Sequence, residues 1–309
     1  MVENYGLPYT GSKSRIAHWV IDNLPSGRVL IDAFAGGCAI THRALLSQKW
    51  QTVIANDING KYPQLFADAM HGQYRDEKRW ISREDFERLK EKNAFVACCW
   101  SFGNNTRTYM YSKAIEPYKR ALHYAIVFDD FAPMQELMPE VAQAVHDALQ
   151  GQNNLHDRRI TAQNVIVKTL KRITDDNFAH PVIQNNPLYQ TIRHASRNTP
   201  SLNGLESLER LQVTSLSYDE IDIPDGAVVY CDPPYHGCDK RLYDGTAKAF
   251  DHNAFYDWCV SVSKTNPIFI SEYSIEDDRF EVVAEKQKMT YMSSKKSFIV
   301  TERLYTVKK

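Results

Sequence analysis

One stretch leaves the chain little freedom. Val228-Val229-Tyr230-Cys231 is a β-branched and aromatic run, preceded by Asp225-Gly226 and followed by Asp232-Pro233-Pro234-Tyr235. The run predicts a short buried strand. The two prolines cannot extend it, because each lacks an N–H and holds φ at about −65°. The strand must stop, and Asp232 is delivered at its carboxyl end. In an open α/β sheet that edge is where ligands bind.

Two further strands belong to the same pattern. Val29 to Phe34 reads as a strand, Ala35-Gly36-Gly37 as a tight turn and Cys38 to Ser47 as a helix. Strand, glycine turn and helix form the first unit of a doubly wound fold, where missing Cβ atoms let a backbone approach a ligand. The turn is not GxGxxG, which disfavours a dinucleotide. Thr52-Val53-Ile54-Ala55 follows as a second strand and ends in Asn56-Asp57-Ile58-Asn59. Asp57 lies where nucleoside-binding α/β proteins place an acid on ribose hydroxyls; the alternative is a cap on the helix from Gly60 to His71.

Upstream, Tyr9-Thr10-Gly11-Ser12-Lys13-Ser14 is expected to turn and enter a helix with Ile16, Val20 and Leu24 on one face and Ser12 or Ser14 as N-cap. A cation in a first helical turn opposes the helix dipole. Lys13 therefore has an anionic partner or is simply solvated.

The middle of the chain loses the doubly wound rhythm. Trp80 to Lys92 predicts a charged amphipathic helix. Phe95 to Phe102 is apolar and breaks into Gly103-Asn104-Asn105-Thr106-Arg107. Glu116 to Gln150 reads as helix interrupted near Pro133 and Pro139. Residues 152–200 carry seven basic side chains against three acids, in a chain of net charge −1. Within them, Thr161 to Ile173 has Val165, Leu170 and Ile173 for packing and Gln163, Asn164, Lys168, Lys171 and Arg172 outward. Such a helix can enter a DNA groove, or present a merely solvated face. Strand character returns at Leu211 to Thr214. Asp251 is then expected to cap a helix from His252 to Lys264, Pro267 to Ser271 to form a buried strand, and Phe280–Glu285 with Ser297–Val307 to form an antiparallel pair.

Composition narrows the class. With 43% hydrophobic and 24% charged residues, the 309-residue chain can bury a large core. No apolar run approaches the roughly 20 residues of a membrane helix, and Met1 to Tyr5 is no signal peptide. The six cysteines form no CxxC pair, which predicts free thiols, a cytoplasmic setting and no metal site.

Taken together, Asp-Pro-Pro-Tyr after a buried strand, Asp-Ala-Phe-Ala-Gly-Gly near the N-terminus, Tyr-Thr-Gly-Ser-Lys before it and Asn-Asp-Ile-Asn between them resemble the Dam-like (D12 class) DNA adenine-N6 methyltransferases. The likeness covers residues 5–60 and 213–309, and is closest to phage and prophage members through Phe250-Asp251-His252 and Phe269 to Tyr273. It implies an α/β, Rossmann-like S-adenosylmethionine-dependent methyltransferase sheet, with residues 1–60 and 213–309 as catalytic domain. A mostly helical target-recognition insertion would occupy 61–212. It implies cofactor contacts at Tyr9, Lys13, Phe34, Ala35, Gly36, Gly37, Asp57, Ile58 and Asp232, with Lys13 on the cofactor's carboxylate. Relatives usually carry an acid on the cofactor's adenine amino group. Here that stretch reads Ser215-Leu216-Ser217-Tyr218-Asp219, and either Ser217 or Asp219 takes the place.

The catalytic residues implied are Asp232, Pro233, Pro234 and Tyr235. An adenine amino nitrogen is a poor nucleophile because its lone pair is delocalised. The Asp232 carboxylate and Pro233 carbonyl would accept its N–H bonds, and Tyr235 would stack on the base. Double-stranded DNA is the expected partner of a monomer or weak dimer. Its candidate contacts are Asn104, Asn105, Arg107, Arg158, Arg159, Lys168, Lys171 and Arg172. The biological setting would be restriction-modification, phage protection or orphan methylation. Methylation of another planar nitrogen (N4 of cytosine, an RNA adenine, a protein glutamine) and a catalytically silent DNA-binding regulator are the competing readings.

Overall fold

The computed structural model describes residues 5–74, 76–175, 208–235, 250–293 and 296–309. The chain forms two compact units, Met1–Arg75 with Pro200–Lys309, and Asp76–Thr199.

The first unit is built on β1 (Gly27–Asp32), β2 (Trp50–Asn56), β3 (Leu211–Thr214), β4 (Val228–Cys231), β5 (Ile268–Glu272), β6 (Phe280–Ser293) and β7 (Lys296–Val307). They lie in the order β3-β2-β1-β4-β5-β7-β6. The first five run parallel, and β7 enters antiparallel between β5 and β6. This is the Rossmann-like methyltransferase sheet, with its topological switch between β1 and β4, the place where such sheets open a crevice. Parallel strands covered on both faces need continuous apolar runs. β4 is buried at all four residues, and the core beside it holds Ile31, Val229, Cys231, Phe255, Cys259, Ile268 and Ile270.

Helices α1 (Ala17–Asn23), α2 (Ala39–Ser47) and α3 (Lys61–Met70) connect the N-terminal strands, and α10 (His252–Val262) precedes β5. Asp251 caps α10 as expected, accepting from Ala254 N at 3.0 Å. The start of α1 differs from expectation. Its N-cap is Ile16, and no side chain caps it. Ser14 Oγ instead accepts from Tyr5 N at 2.7 Å and Ser12 Oγ from Ser14 N at 3.2 Å. Lys13 thus sits in the turn before the helix, not in its first turn. At the start of α2, Asp32 Oδ2 accepts from Thr41 N at 3.1 Å and from Thr41 Oγ1 at 2.7 Å. A buried strand-end acid anchors the first turn in place of a cap.

The second unit is helical: α4 (Arg83–Leu89), α5 (Ala94–Cys99), α6 (Glu116–Phe128), α7 (Ala132–Leu137), α8 (Pro139–Leu149) and α9 (Leu155–Asp175). Pro139 opens α8 at a position where its missing N–H costs no hydrogen bond. One core joins Leu122, Ala125, Met134, Met138, Val141, Val145, Ala162 and Ile166. On α9 the buried stripe is Arg158, Ala162 and Ile166, four residues apart, with Val165 partly buried beside it. Leu170 and Ile173, expected to pack, have side chains outside the described residues. Cys38, Cys98, Cys99, Cys231 and Cys259 are buried free thiols, and Cys238 is outside the described set. No metal-binding cluster and no helix able to cross a membrane occurs among the described residues.

Candidate active site

The carboxyl edge of the sheet gathers acids, because β1, β2, β4 and β5 each end in one or run directly into one. Asp32 closes β1, Asp57 follows β2, Asp232 follows β4, Glu272 closes β5, and Glu302 lies on β7. Asp32, Glu272 and Glu302 are each no more than 2% exposed. Burial pushes the Asp32 carboxyl up to about 7, against the two Thr41 hydrogen bonds that favour its charged form.

The Asn-Asp-Ile-Asn segment is a knot of hydrogen bonds. The Asn56 amide donates to Ala33 O at 3.1 Å and Leu216 O at 3.0 Å, and accepts from Thr214 Oγ1 at 2.8 Å and Leu216 N at 3.1 Å. It ties the loops after β1, β2 and β3 into one frame, a role that sequence reasoning missed. Asp57 Oδ2 accepts from Gly36 N at 2.9 Å and Oδ1 from Asn59 N at 2.8 Å. Asp57 therefore braces the glycine turn; it does not cap α3, whose N-cap is Gly60. Burial raises its carboxyl above the ordinary range despite both N–H bonds. Ile58, next in sequence, is 78% exposed.

The glycine turn carries a correction. A Cβ on Gly37 would lie 2.6 Å from Tyr9 Cβ and 3.2 Å from Leu7 O. The chain's own residues 7–9 approach the Gly37 backbone closely, which accounts for that glycine. Gly36 has φ +46°, a left-handed conformation that favours glycine, and a Cβ there would meet only the Tyr9 ring edge at 3.4 Å. Phe34 stacks on Tyr218 with ring centroids 5.7 Å apart. Beyond β3, Ser217 and Glu220 form a capping box around a single helical turn, and Ser217 Oγ also donates to Asp219. Asp219 is exposed and Ser217 half-buried.

Around Asp-Pro-Pro-Tyr the structure gives Lys13 its anion. Lys13 Nζ lies 2.7 Å from Asp232 Oδ1 and 3.9 Å from Glu302 Oε1, with both partners largely buried. Its partner is thus the protein's own carboxylate, where a cofactor carboxylate was expected. Tyr235 is corrected as well. It is 7% exposed, its hydroxyl donates to Glu302, the Lys13 ammonium lies 4.6 Å from its ring centroid and Tyr273 packs edge-on at 4.7 Å. It is a buried wall of the site, not an open stacking platform. Burial, with Asp232 and Glu302 adding to it, pushes its phenol well above the usual tyrosine range. His252 Nε2 lies 2.9 Å from Pro234 O and pins the diproline turn from α10. Glu302 belongs to no motif quoted above and comes beside Tyr235 only through strand order, while His252, part of Phe250-Asp251-His252, meets Pro234 through helix placement.

The expected DNA contacts divide. Arg158 is buried, and its guanidinium donates to Ile126 O at 2.7 Å, Leu149 O at 3.3 Å, Gln152 O at 2.8 Å and Ala125 O at 3.1 Å, and to Asp129. All five of its N–H donors are taken up at the ends of α6 and α8, so Arg158 is corrected from DNA contact to helix-end cap. Arg159 is half-buried, and desolvation lowers its pKa. Asn104 Nδ2 donates to Cys98 O at 3.1 Å, and Asn105 Oδ1 accepts from Arg107 N and Thr108 N at 2.9 Å each. These amides shape the loop, and Phe102 stands on it 65% exposed. On α9, Asn164 and Lys168 are exposed; the side chains of Lys171 and Arg172 lie outside the described residues, as do Arg193 and Arg197.

The sheet is a doubly wound α/β sheet whose strand order reverses between β1 and β4, with acids along its carboxyl edge. Residues 9–138 match the model of the D12 class N6 adenine-specific DNA methyltransferase family. That match spans less than half of the chain. The match ends before Asp232, so it rests on the glycine turn, Asn-Asp-Ile-Asn and the first part of the helical unit. No curated protein matches the chain. Among solved structures it is similar to HI0767 from Haemophilus influenzae, described as a methylase by provisional assignment, at 11% identity over 98% of this chain and 92% of that one, with a TM-score of 0.29. That likeness adds nothing to what the strand order shows.

Proposed function

We propose that the protein binds S-adenosylmethionine at the carboxyl edge of β1 and β2 and methylates N6 of an adenine flipped out of duplex DNA at Asp232-Pro233-Pro234-Tyr235. The observation that carries this reading is the position of Asp232: a strand-end carboxylate beside the β1/β4 switch, braced by Lys13 at 2.7 Å.

The residues present fit the cofactor. Each Asp57 oxygen accepts one backbone N–H, and a carboxylate oxygen has a second acceptor site for a ribose hydroxyl. Ile58 offers an exposed apolar face for an adenine ring, and Gly36 the close backbone. Either Ser217 or Asp219 would meet the ring's amino group. Tyr9, Phe34 and Ala35 complete this wall. When bound, the cofactor supplies an electrophilic methyl group on a sulfonium.

The chain's own part is positioning and electrostatics. Asp232 and the Pro233 carbonyl accept the two N6–H bonds and draw the nitrogen's lone pair out of the ring. The diproline cannot relax away, and His252 holds the Pro234 carbonyl from the other side. An amine inside a duplex is out of reach, so the base is flipped, at a cost on the order of a few kcal/mol. Residues 61–212 contain the target-recognition region, with Asn105, Arg107, Arg159 and Lys168 as candidate contacts. The test is methyl incorporation from labelled S-adenosylmethionine into duplex DNA, followed by nucleoside analysis. N6-methyladenine is expected. N4-methylcytosine alone, or cofactor binding without incorporation, would replace this reading with one of its competitors.

A further inference from the structure

Glu302 is a fully buried carboxylate, 0% exposed, on the antiparallel strand β7. A charge removed from water persists only where partners compensate it. Here the partners are residues of the proposed site: Glu302 accepts the Tyr235 hydroxyl and faces the Lys13 ammonium at 3.9 Å. Lys13 is in turn 2.7 Å from Asp232 and 4.6 Å from the Tyr235 ring centroid. Four side chains from three separate parts of the chain thus meet, with the Lys13 ammonium near both carboxylates.

That arrangement has a consequence for Asp232. An ammonium facing one carboxylate is drawn fully to it, and a carboxylate clamped in that way is a poorer acceptor for an incoming amine. A second carboxylate 3.9 Å from the same ammonium competes with Asp232 for it and so leaves Asp232 a better acceptor. From this geometry we infer that Glu302 is a positioning residue for methyl transfer: through Lys13 and Tyr235 it sets the acceptor strength of Asp232 without touching the base. The inference rests on the function proposed above.

Glu302→Gln is the informative variant, because the amide keeps an acceptor for the Tyr235 hydroxyl and removes the charge, with an NH2 in place of the second oxygen. Its kcat for DNA methylation is expected to fall about tenfold or more, with KM for DNA and for S-adenosylmethionine within about twofold of the wild type, the pattern of an interaction felt only in the transition state. Glu302→Asp, which retains the charge, is expected to recover part of the loss. In a Lys13→Met background the Glu302→Gln change is expected to add less than about twofold, since coupled residues are not additive. A second readout does not need turnover. In cofactor-free protein labelled at lysine ε positions, the Lys13 NMR signal, assigned through Lys13→Met, is expected to shift in Glu302→Gln. An unchanged kcat, an equal loss in the Lys13→Met background or an unmoved Lys13 signal would each overturn the inference. Absence of transfer by the wild-type chain would instead overturn the proposed function, and the NMR arm would then decide by itself whether Glu302 holds Lys13.

Discussion

Both units of the molecule bury charge, and they use it in different ways. In the sheet unit the buried carboxylates lie toward the carboxyl edge and meet groups distant in sequence: Asp232 with Lys13, Glu302 with Tyr235, Asp57 with the Gly36 backbone. In the helical unit they are cations that face backbone and rings. Arg158 closes the carbonyl ends of α6 and α8, and Lys119, pushed down to about 7 by burial, lies 5.1 Å from the Tyr111 ring centroid. A parallel sheet delivers every strand end to one edge, so its polar residues converge there. A helix bundle leaves unpaired carbonyls at each helix end, and a long cation is the natural side chain to satisfy them. A positive charge run in a helical region therefore overstates the positive surface.

The sharpest way to break this comparison is at Asp232. Asp232→Ala should lower methyl incorporation by about 10³-fold or more, the scale of losing a central electrostatic contact, while circular dichroism and melting stay near wild type. Retained activity would remove Asp232 from the mechanism and leave the acid edge a structural feature. The matching change in the helical unit is Arg158→Ala. It strands four carbonyls and Asp129, and should cost about 3 kcal/mol of stability, read from denaturant unfolding. Its effect on the salt dependence of DNA binding should be small. A steep loss of salt slope with intact stability would return Arg158 to the DNA surface.

A third prediction concerns pH. Asp32 is raised from 3.8 to about 7 by burial. Its folded form keeps a proton that the unfolded chain has already lost, so the stability it contributes is present below about 4 and disappears as pH rises through about 7. Asp32→Asn should flatten that decline. Comparing unfolding midpoints of the two proteins at pH 5 and pH 8 checks it, and parallel pH profiles would exclude Asp32 as the source. The smallest effect is expected at exposed Lys168. Lys168→Ala should reduce the slope of log K against log salt by about one; an unaltered slope would place the DNA elsewhere than on this face of α9.

The two regions also differ in how far they could be read in advance. Strand ends were legible because proline and glycine punctuate them: β4 stops at Asp232, and the βα unit turns at Gly36. The prolines at 133 and 139 likewise divided the helices α6, α7 and α8. On α9, Val165 packs against the core as expected, whereas Arg158, expected on the DNA surface, is buried, because in a basic run it looks like a surface residue until the carbonyls of two other helices are placed around it. For Lys13 the sequence left open an anionic partner or simple solvation, and the structure sets it beside Asp232. Which anion it meets depends on the distance between residues more than two hundred positions apart.

The sequence alone determined the α/β class, the doubly wound beginning, the carboxylate at the end of a proline-terminated strand and the methyltransferase family that these motifs resemble. These are local properties: period, turn chemistry and residue order within a few positions. Only the tertiary structure decided that Lys13 pairs with Asp232, that Glu302 on β7 stands behind both and that Tyr235 is a buried wall. It also turned Arg158 inward. Pairings of this kind are set by strand order and helix docking, and no local pattern in the chain encodes them.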